Sequence, residues 1–472
     1  MKKALALAMA AVMAAGSLAA CGGSASGAAA SASASGAADS TVSGTADTAA
    51  AGGKTYDSLT VGKDATDLKA DIKVITNRTD LVDTTFKEYV AEFQKMYPNI
   101  NISYEGITNY GEDMTTRLTS NDWGDICMIP SYILKTELGD YFEPLCDLSA
   151  IQDTYNQADL KSYSGKVYGI PSMINVQGVV YNKAVFEKAG ITALPKTPDE
   201  FLTDLQSIKD KTDAIPLYTN YAAGWTMGAW DAYISGSATG DADWMNVKMP
   251  HTRDPFAKGT PTGDEKSGPY AVYNVLYQAV KQGLTEDDPT TTDWEGCKPM
   301  INSGKIGCLV LGSWAVSQMQ AAGANAGDIA YMSFPITVNG KQYATAGADY
   351  AYGVNKSASD DNKLASMLYI KWLTESSNYY FDQGGVPTIK SLPYPDTLKA
   401  FDGVELVFDT PNPDNEADLQ TNINNESEVS VNNDNTHVQR IVEAAINGNE
   451  TLDDIVADWN TRWDAAMDKY GA

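Results

Sequence analysis

Trp314 closes an apolar run and a Gly-Ser pair in the stretch Ile306-Gly307-Cys308-Leu309-Val310-Leu311-Gly312-Ser313-Trp314. A tryptophan at the end of a buried strand, opening a helix, sits where parallel sheets bind ligands; the competing reading is a core tryptophan. Trp225 and Trp230 flank small residues in 220–230; helical spacing makes one aromatic packed in the core the default, and Trp225 is the ring better placed to face a ligand. Asn175 interrupts the apolar run 174–181, and its amide both donates and accepts; Gln177 does the same two residues on. Asn77 and Arg78 follow the first strand-like run and present fixed donors suited to hydroxyl or carboxylate groups. Asp349 and Tyr350 sit between Gly347 and Gly353, whose backbone freedom suits a hinge or a close ligand approach. Asp125 opens a strand at the far end from these loops, and joins them only if sheet twist and a turn at Gly124 carry it to the cleft.

Equipment for bond cleavage is missing from this set. There is no G-x-S-x-G elbow, H-E-x-x-H pair, Walker loop or G-x-G-x-x-G fingerprint. Gly53-Lys54-Thr55 resembles the end of a phosphate loop, but the leading glycine is missing at position 48. His251 and His437 are the only histidines, neither beside an evident nucleophile. With 61 acidic residues a carboxylate pair for glycoside hydrolysis stays open. Aromatic plates with amides suit binding better than catalysis, so no catalytic residue, cofactor or metal is expected.

The elements that must position these residues read as alternating strands and helices. Residues 72–76 form a strand, 85–97 a helix with Thr85 and Glu88 as its capping box, 101–104 a strand, 111–120 a helix and 126–129 a buried strand. That β-α-β-α-β order implies a parallel sheet with right-handed crossovers, and ligands collecting beyond the carboxyl ends of its strands. The stretch 165–183 then organises the chain: Pro171 cannot continue a central strand, and an apolar run follows to Tyr181. It reads as a connector between two lobes. Beyond it, Thr197-Pro198-Asp199-Glu200 starts a helix, 215–218 and 306–311 are strands, and 359–375 is a long helix broken at 384–387. Residues 409–435 are acidic and Asn-rich without calcium-loop spacing, and read as a solvated loop with some helix.

At 472 residues the chain exceeds a single core, so two domains or lobes are expected. A net charge of −27 disfavours nucleic acid and anionic lipid as partners. Lys2-Lys3, the apolar run 4–15 and Leu18-Ala19-Ala20-Cys21 describe a signal peptide over residues 1–20, ending at a bacterial lipobox. Cys21 would carry the lipid, and the Gly/Ala/Ser-rich stretch 21–54 is a flexible tether. Four cysteines remain, with no C-x-x-C pair for zinc. Cys127 and Cys308 read as small buried hydrophobes, and spacing alone leaves a Cys297–Cys308 bridge open.

Several short segments together carry a resemblance. Gly124-Asp125-Ile126, Tyr168-Gly169-Ile170-Pro171, Tyr181-Asn182-Lys183, Gly304-Lys305-Ile306, Gly312-Ser313-Trp314-Ala315, Tyr352-Gly353-Val354-Asn355 and Gly385-Val386-Pro387 recur in order across nearly all of the chain after the tether. In these the chain resembles the carbohydrate-type extracellular solute-binding proteins of bacterial ABC importers, the maltose-binding type in particular. The resemblance implies an α/β, two-lobed periplasmic-binding-protein fold, each lobe a mixed, mostly parallel sheet flanked by helices, joined by a multi-strand hinge. Lobe one would take residues 70–174 and 348–386, lobe two 179–346 and 390–472. A monomer, lipid-anchored outside the cytoplasm, would hold a carbohydrate in the cleft and deliver it to permease subunits.

By position, Trp314 matches the tryptophan that stacks on a sugar ring, Trp225 the aromatic region of the second lobe, and Asn77 and Arg78 the first ligand loop. Asn175 falls where the maltose type commonly has a carboxylate, which argues against maltose itself. Asp349 and Tyr350 lie at the second hinge crossing, with Ser131, Tyr132 and His437 as further candidates. Two other classes compete: a surface glycoside hydrolase, and a peptide or amino-acid receptor in which Arg78 pairs with a ligand carboxylate.

Overall fold

The computed structural model describes residues 53–108, 110–432 and 435–472. The signal peptide, Cys21 and the tether up to residue 52 lie outside the described residues. Near the start of the described residues Tyr56 is fully inaccessible, and its backbone N–H donates to Leu145 O at 2.9 Å.

The β-α-β-α-β pattern forms as its apolar spacing requires. Strand Ala70–Thr76 pairs in parallel with Ile100–Gly106 on one side and with Ile126–Met128 on the other. Helix Thr85–Gln94 buries Phe86, Tyr89 and Phe93, and Tyr110–Ser120 supplies the second crossover. The expected Thr85 capping box does not form. Thr84 occupies the cap position and its hydroxyl donates back to Asp80 O instead. The first sheet is completed by Ala351–Val354 and Gly169–Pro171, both antiparallel to their neighbours.

The second sheet is built on the long strand Ile174–Asn182. One edge pairs with Ile306–Gly312; the other pairs first with Tyr343–Ala348 and then with Ile329–Ser333, all antiparallel. Ile215–Leu217 and Glu405–Phe408 extend it with parallel pairings. Both sheets are therefore mixed. Each parallel pairing joins strands linked by a long crossover, as parallel strands require, while the strands that adjoin the crossings between the sheets pair antiparallel.

Pro171 ends its strand as its missing donor demands. The chain passes from the first sheet to the second through Ser172 and Met173, and returns through Asp349 and Tyr350. The two crossings are stitched side by side: Ser172 N–H donates to Tyr350 O at 2.7 Å, and Asp349 N–H to Met173 O at 3.0 Å. A third pass joins them where Val386 and Ile174 exchange backbone hydrogen bonds of 2.7 and 2.9 Å. One hydrophobic cluster fills the first lobe, and two flank the second sheet. Cys127, Cys146, Cys297 and Cys308 are all buried free thiols, so the 297–308 bridge does not form.

Candidate functional site

The loop after the first strand is set by Thr76, whose hydroxyl accepts from Arg78 N–H at 3.1 Å. Arg78 is locked in a two-pronged pair with Asp80, at 2.9 and 2.7 Å, and donates a further bond to Gln383 Oε1 at 2.6 Å. Asn77 Oδ1 is buried and has no partner among the described residues. Such an acceptor is costly unless something donates to it.

Opposite, three short sequences each deliver a tryptophan. Gly312 ends its strand where a Cβ would stand 2.7 Å from Trp314 Nε1, so only glycine admits this ring position. Ser313 ties the turn to the connector strand, accepting from Val176 N–H at 3.2 Å. Trp225 opens a four-residue helix after Gly224, whose φ is +50°, and it is 47% exposed. Trp294 opens the helix Trp294–Asn302, capped by Asp293, which accepts from Gly296 N–H at 2.5 Å. The three rings touch: centroids lie 5.0 Å apart for Trp225–Trp294 and 5.7 Å for both Trp225–Trp314 and Trp294–Trp314. Lys298 Nζ lies 4.7 Å above the Trp294 ring.

These two walls enclose a chamber of about 560 Å³, with Met173, Asp349 and Tyr350 of the crossings at its back. Volumes of this order suit a small ligand. Asp349 brings a carboxylate to the back of the chamber. Burial pushes its carboxyl up, while the Arg78 guanidinium and the Asn175 amide draw it part of the way back. The chamber thus combines flat apolar area, the Arg78 guanidinium, the Lys298 ammonium, three carboxylates (Asp80, Glu295 and Asp349) and a free amide acceptor, and its lining adds Thr79, Thr108 and Gln318.

Six of the eight residues singled out from the sequence line this chamber: Asn77, Arg78, Trp225, Trp314, Asp349 and Tyr350. Asn175 does not. It is 6% exposed, its Nδ2 donates to Asp349 Oδ1 at 3.0 Å, and its Oδ1, like that of Asn77, is buried with no partner among the described residues. Asp125 stands apart: Oδ2 accepts from Lys73 N–H and Oδ1 from Asn362 Nδ2, each at 2.8 Å, which stitches the first strand to the long helix. Sheet twist does not overcome its position at the other end of the strand. His437 lies in the core of the second lobe against Asp231 at 2.9 Å, Ser131 lines a neighbouring chamber, and Tyr132 lines neither. Trp294 and Lys298 went unnoticed in the sequence. A tryptophan immediately after a capping Asp, in an otherwise polar segment, was the available signal.

Residues 78–380 match the family of bacterial extracellular solute-binding proteins. A curated relative, the multiple sugar-binding protein of Streptococcus mutans serotype c, is 24% identical over 324 residues, covering 66% of this chain and 73% of its own. Two solved structures from Bifidobacterium animalis subsp. lactis are more similar. One, a manno-oligosaccharide-specific solute-binding protein in complex with mannotriose, is 43% identical, with a TM-score of 0.85 over 89% of this chain and 100% of that one. The other, the binding protein of an ABC transporter in complex with mannobiose, is 45% identical, with a TM-score of 0.85 over 88% and 99%. The matched stretch takes in most of both sheets and all but the last pass between them, and the chain belongs to the bacterial extracellular solute-binding protein family.

Proposed function

We propose that this protein captures a short oligosaccharide, of the mannose-based class, between its lobes and delivers it to the membrane subunits of an ABC importer. The observation that carries this reading is the tryptophan chamber. Three rings from the second lobe face Asn77, Arg78 and Asp349, in a chain 43–45% identical to receptors solved with mannotriose and mannobiose. Sugar rings offer apolar C–H faces and a rim of hydroxyls; tryptophans supply area for the faces, and a carboxylate, a guanidinium and amides read the rim. Hinge closure buries both kinds of contact, and the closed form is what a permease can distinguish from the empty receptor. Binding and release suffice for this task, with no bond made or broken.

The protein works outside the cytoplasm, as its family does. Anchorage through a lipid on Cys21, with residues 22–54 as the tether, keeps the receptor beside its permease. Maltose is disfavoured because Asn175 stands in place of an acid; here the acid is Asp349, held by that amide.

Calorimetric titration of the folded part with mannobiose, mannotriose, maltose and raffinose tests the reading. Saturable binding of the mannose sugars, with unaltered sugar recovered afterwards, is the expected result. Heat from none of the four would sink it, and the appearance of new reducing ends would convert it to an enzyme.

A further inference from the structure

Beyond the Asp349–Tyr350 crossing lies a second chamber of about 490 Å³, sharing those two residues with the first. Its chemistry differs. Tyr350 is its single aromatic residue, and the polar wall comes from Gln157 and Lys161 of the first lobe and Asn246, Asp409, Gln420 and Asn424 of the second.

Lys161 makes one hydrogen bond, from Nζ to Pro130 O at 3.2 Å, and joins no ion pair among the described residues. Burial and the nearby Lys135 push its pKa down to about 8. An ammonium has three donors, and this partly buried one, with a single hydrogen bond and no counter-charge, has donors to spare. Across the chamber, burial pushes Asp409 up to about 6, while one of its oxygens accepts from Ser235. Asn424 spends both ends of its amide on Val431, and Asn246 Nδ2 donates to Thr410 O. Spare donors on one wall thus face the Asp409 carboxylate and the Gln420 amide on the other. Hydroxyl groups, each of which donates and accepts, satisfy both walls. With three tryptophans in one chamber and none in the other, a ring in the second chamber is held by its edge.

The two chambers also differ in access. Residues 409–418 form a strap that belongs to the second lobe and is fastened to the first. Lys135 Nζ donates to Asn412 O at 2.9 Å, Thr136 Oγ1 to Asp418 Oδ2 at 2.9 Å, and Ser164 N–H to Asp414 Oδ2 at 3.0 Å. Among the described residues no hydrogen bond or ion pair crosses between the lobes at the rim of the tryptophan chamber. The cleft has a strapped end and an unstrapped end.

We propose that the second chamber is a glycosyl subsite that holds one terminal unit of the ligand edge-on, so that the receptor discriminates by chain length. This rests on the oligosaccharide reading above. A disaccharide is satisfied on the tryptophans, and a third unit passes Tyr350 into the strapped end.

Two variants test it by calorimetry with mannobiose and mannotriose. Ser131→Trp fills the chamber from an exposed position, and Gln420→Ala removes a polar group without adding bulk. Ser131→Trp is expected to raise the mannotriose Kd by about tenfold or more and Gln420→Ala by about threefold, with the mannobiose Kd held within about twofold in both. Melting temperatures near wild type establish folding. Equal losses for both sugars, or no loss for mannotriose, overturn the subsite. Wild-type protein that binds neither sugar overturns the oligosaccharide reading, and the subsite with it.

Discussion

Trp314 packs against the hydrophobic clusters of both lobes and still opens onto the tryptophan chamber. Trp225 is half exposed and carries less of the fold. The two should therefore separate on mutation. Trp314→Ala is expected to weaken mannotriose by about 2 kcal/mol, roughly thirtyfold, and to lower the melting temperature as well, because a cavity opens between the lobes. Trp225→Ala should weaken binding while moving stability by about 0.5 kcal/mol or less. Calorimetry beside thermal melts distinguishes them; equal destabilisation by both would show that Trp225 is a core residue.

Asp349 adds a pH signature at the same scale. Its carboxyl is raised on folding by burial, against the pull of Arg78 and Asn175. A raised carboxyl binds its proton more tightly in the native state, so its contribution to stability is largest in acid. That contribution fades as pH rises through the window between the ordinary and the raised value. Sugar hydroxyls that donate to the ionised form oppose this bias. Mannotriose affinity should fall as acid protonates Asp349, and Asp349→Asn should flatten that dependence in titrations across the acidic range. Trp314 and Trp225 were legible because a glycine or a strand end marks each. Trp294 was not, since a polar run conceals it, and the Asn175 bond to Asp349 was not legible because a buried amide and a ligand-facing amide look alike in one dimension.

At the scale of elements, the connector strand is locked in register within the second sheet. Gly178 lies where both its edges are paired. A Cβ there would stand 2.4 Å from Met332 O and 2.8 Å from Tyr331 Cζ, and its carbonyl accepts from Tyr233 Oη at 2.7 Å. Gly178→Ala should cost about 1–3 kcal/mol by overpacking, read as a lower urea midpoint with an unchanged slope. The three N-terminal strands and their helices were legible because each element follows the last along the chain. The antiparallel pairings of the crossing strands were not, since partners such as Asn175 and Gly347 are far apart in sequence. The second chamber escaped for the same reason: residues 129–161 meet 409–432 only in the folded chain.

At the scale of the whole molecule, a ligand that binds the native state and not the unfolded chain stabilises the fold. Mannotriose at about a hundred times its Kd should therefore add about 2.7 kcal/mol to stability. Thermal melts with and without sugar check this, with maltose as the control that should leave the transition unmoved.

The four thiols divide evenly between the lobes: Cys127 and Cys146 are buried in the first, Cys297 and Cys308 in the second. Burial pushes all four up, away from the reactive thiolate form. An alkylating reagent can therefore reach a given pair only when its own half of the molecule comes apart. Peptide-resolved labelling over time supplies a separate clock for each half. Two clocks in step would describe a receptor that unravels as one cooperative unit, and clocks out of step would identify which half yields first.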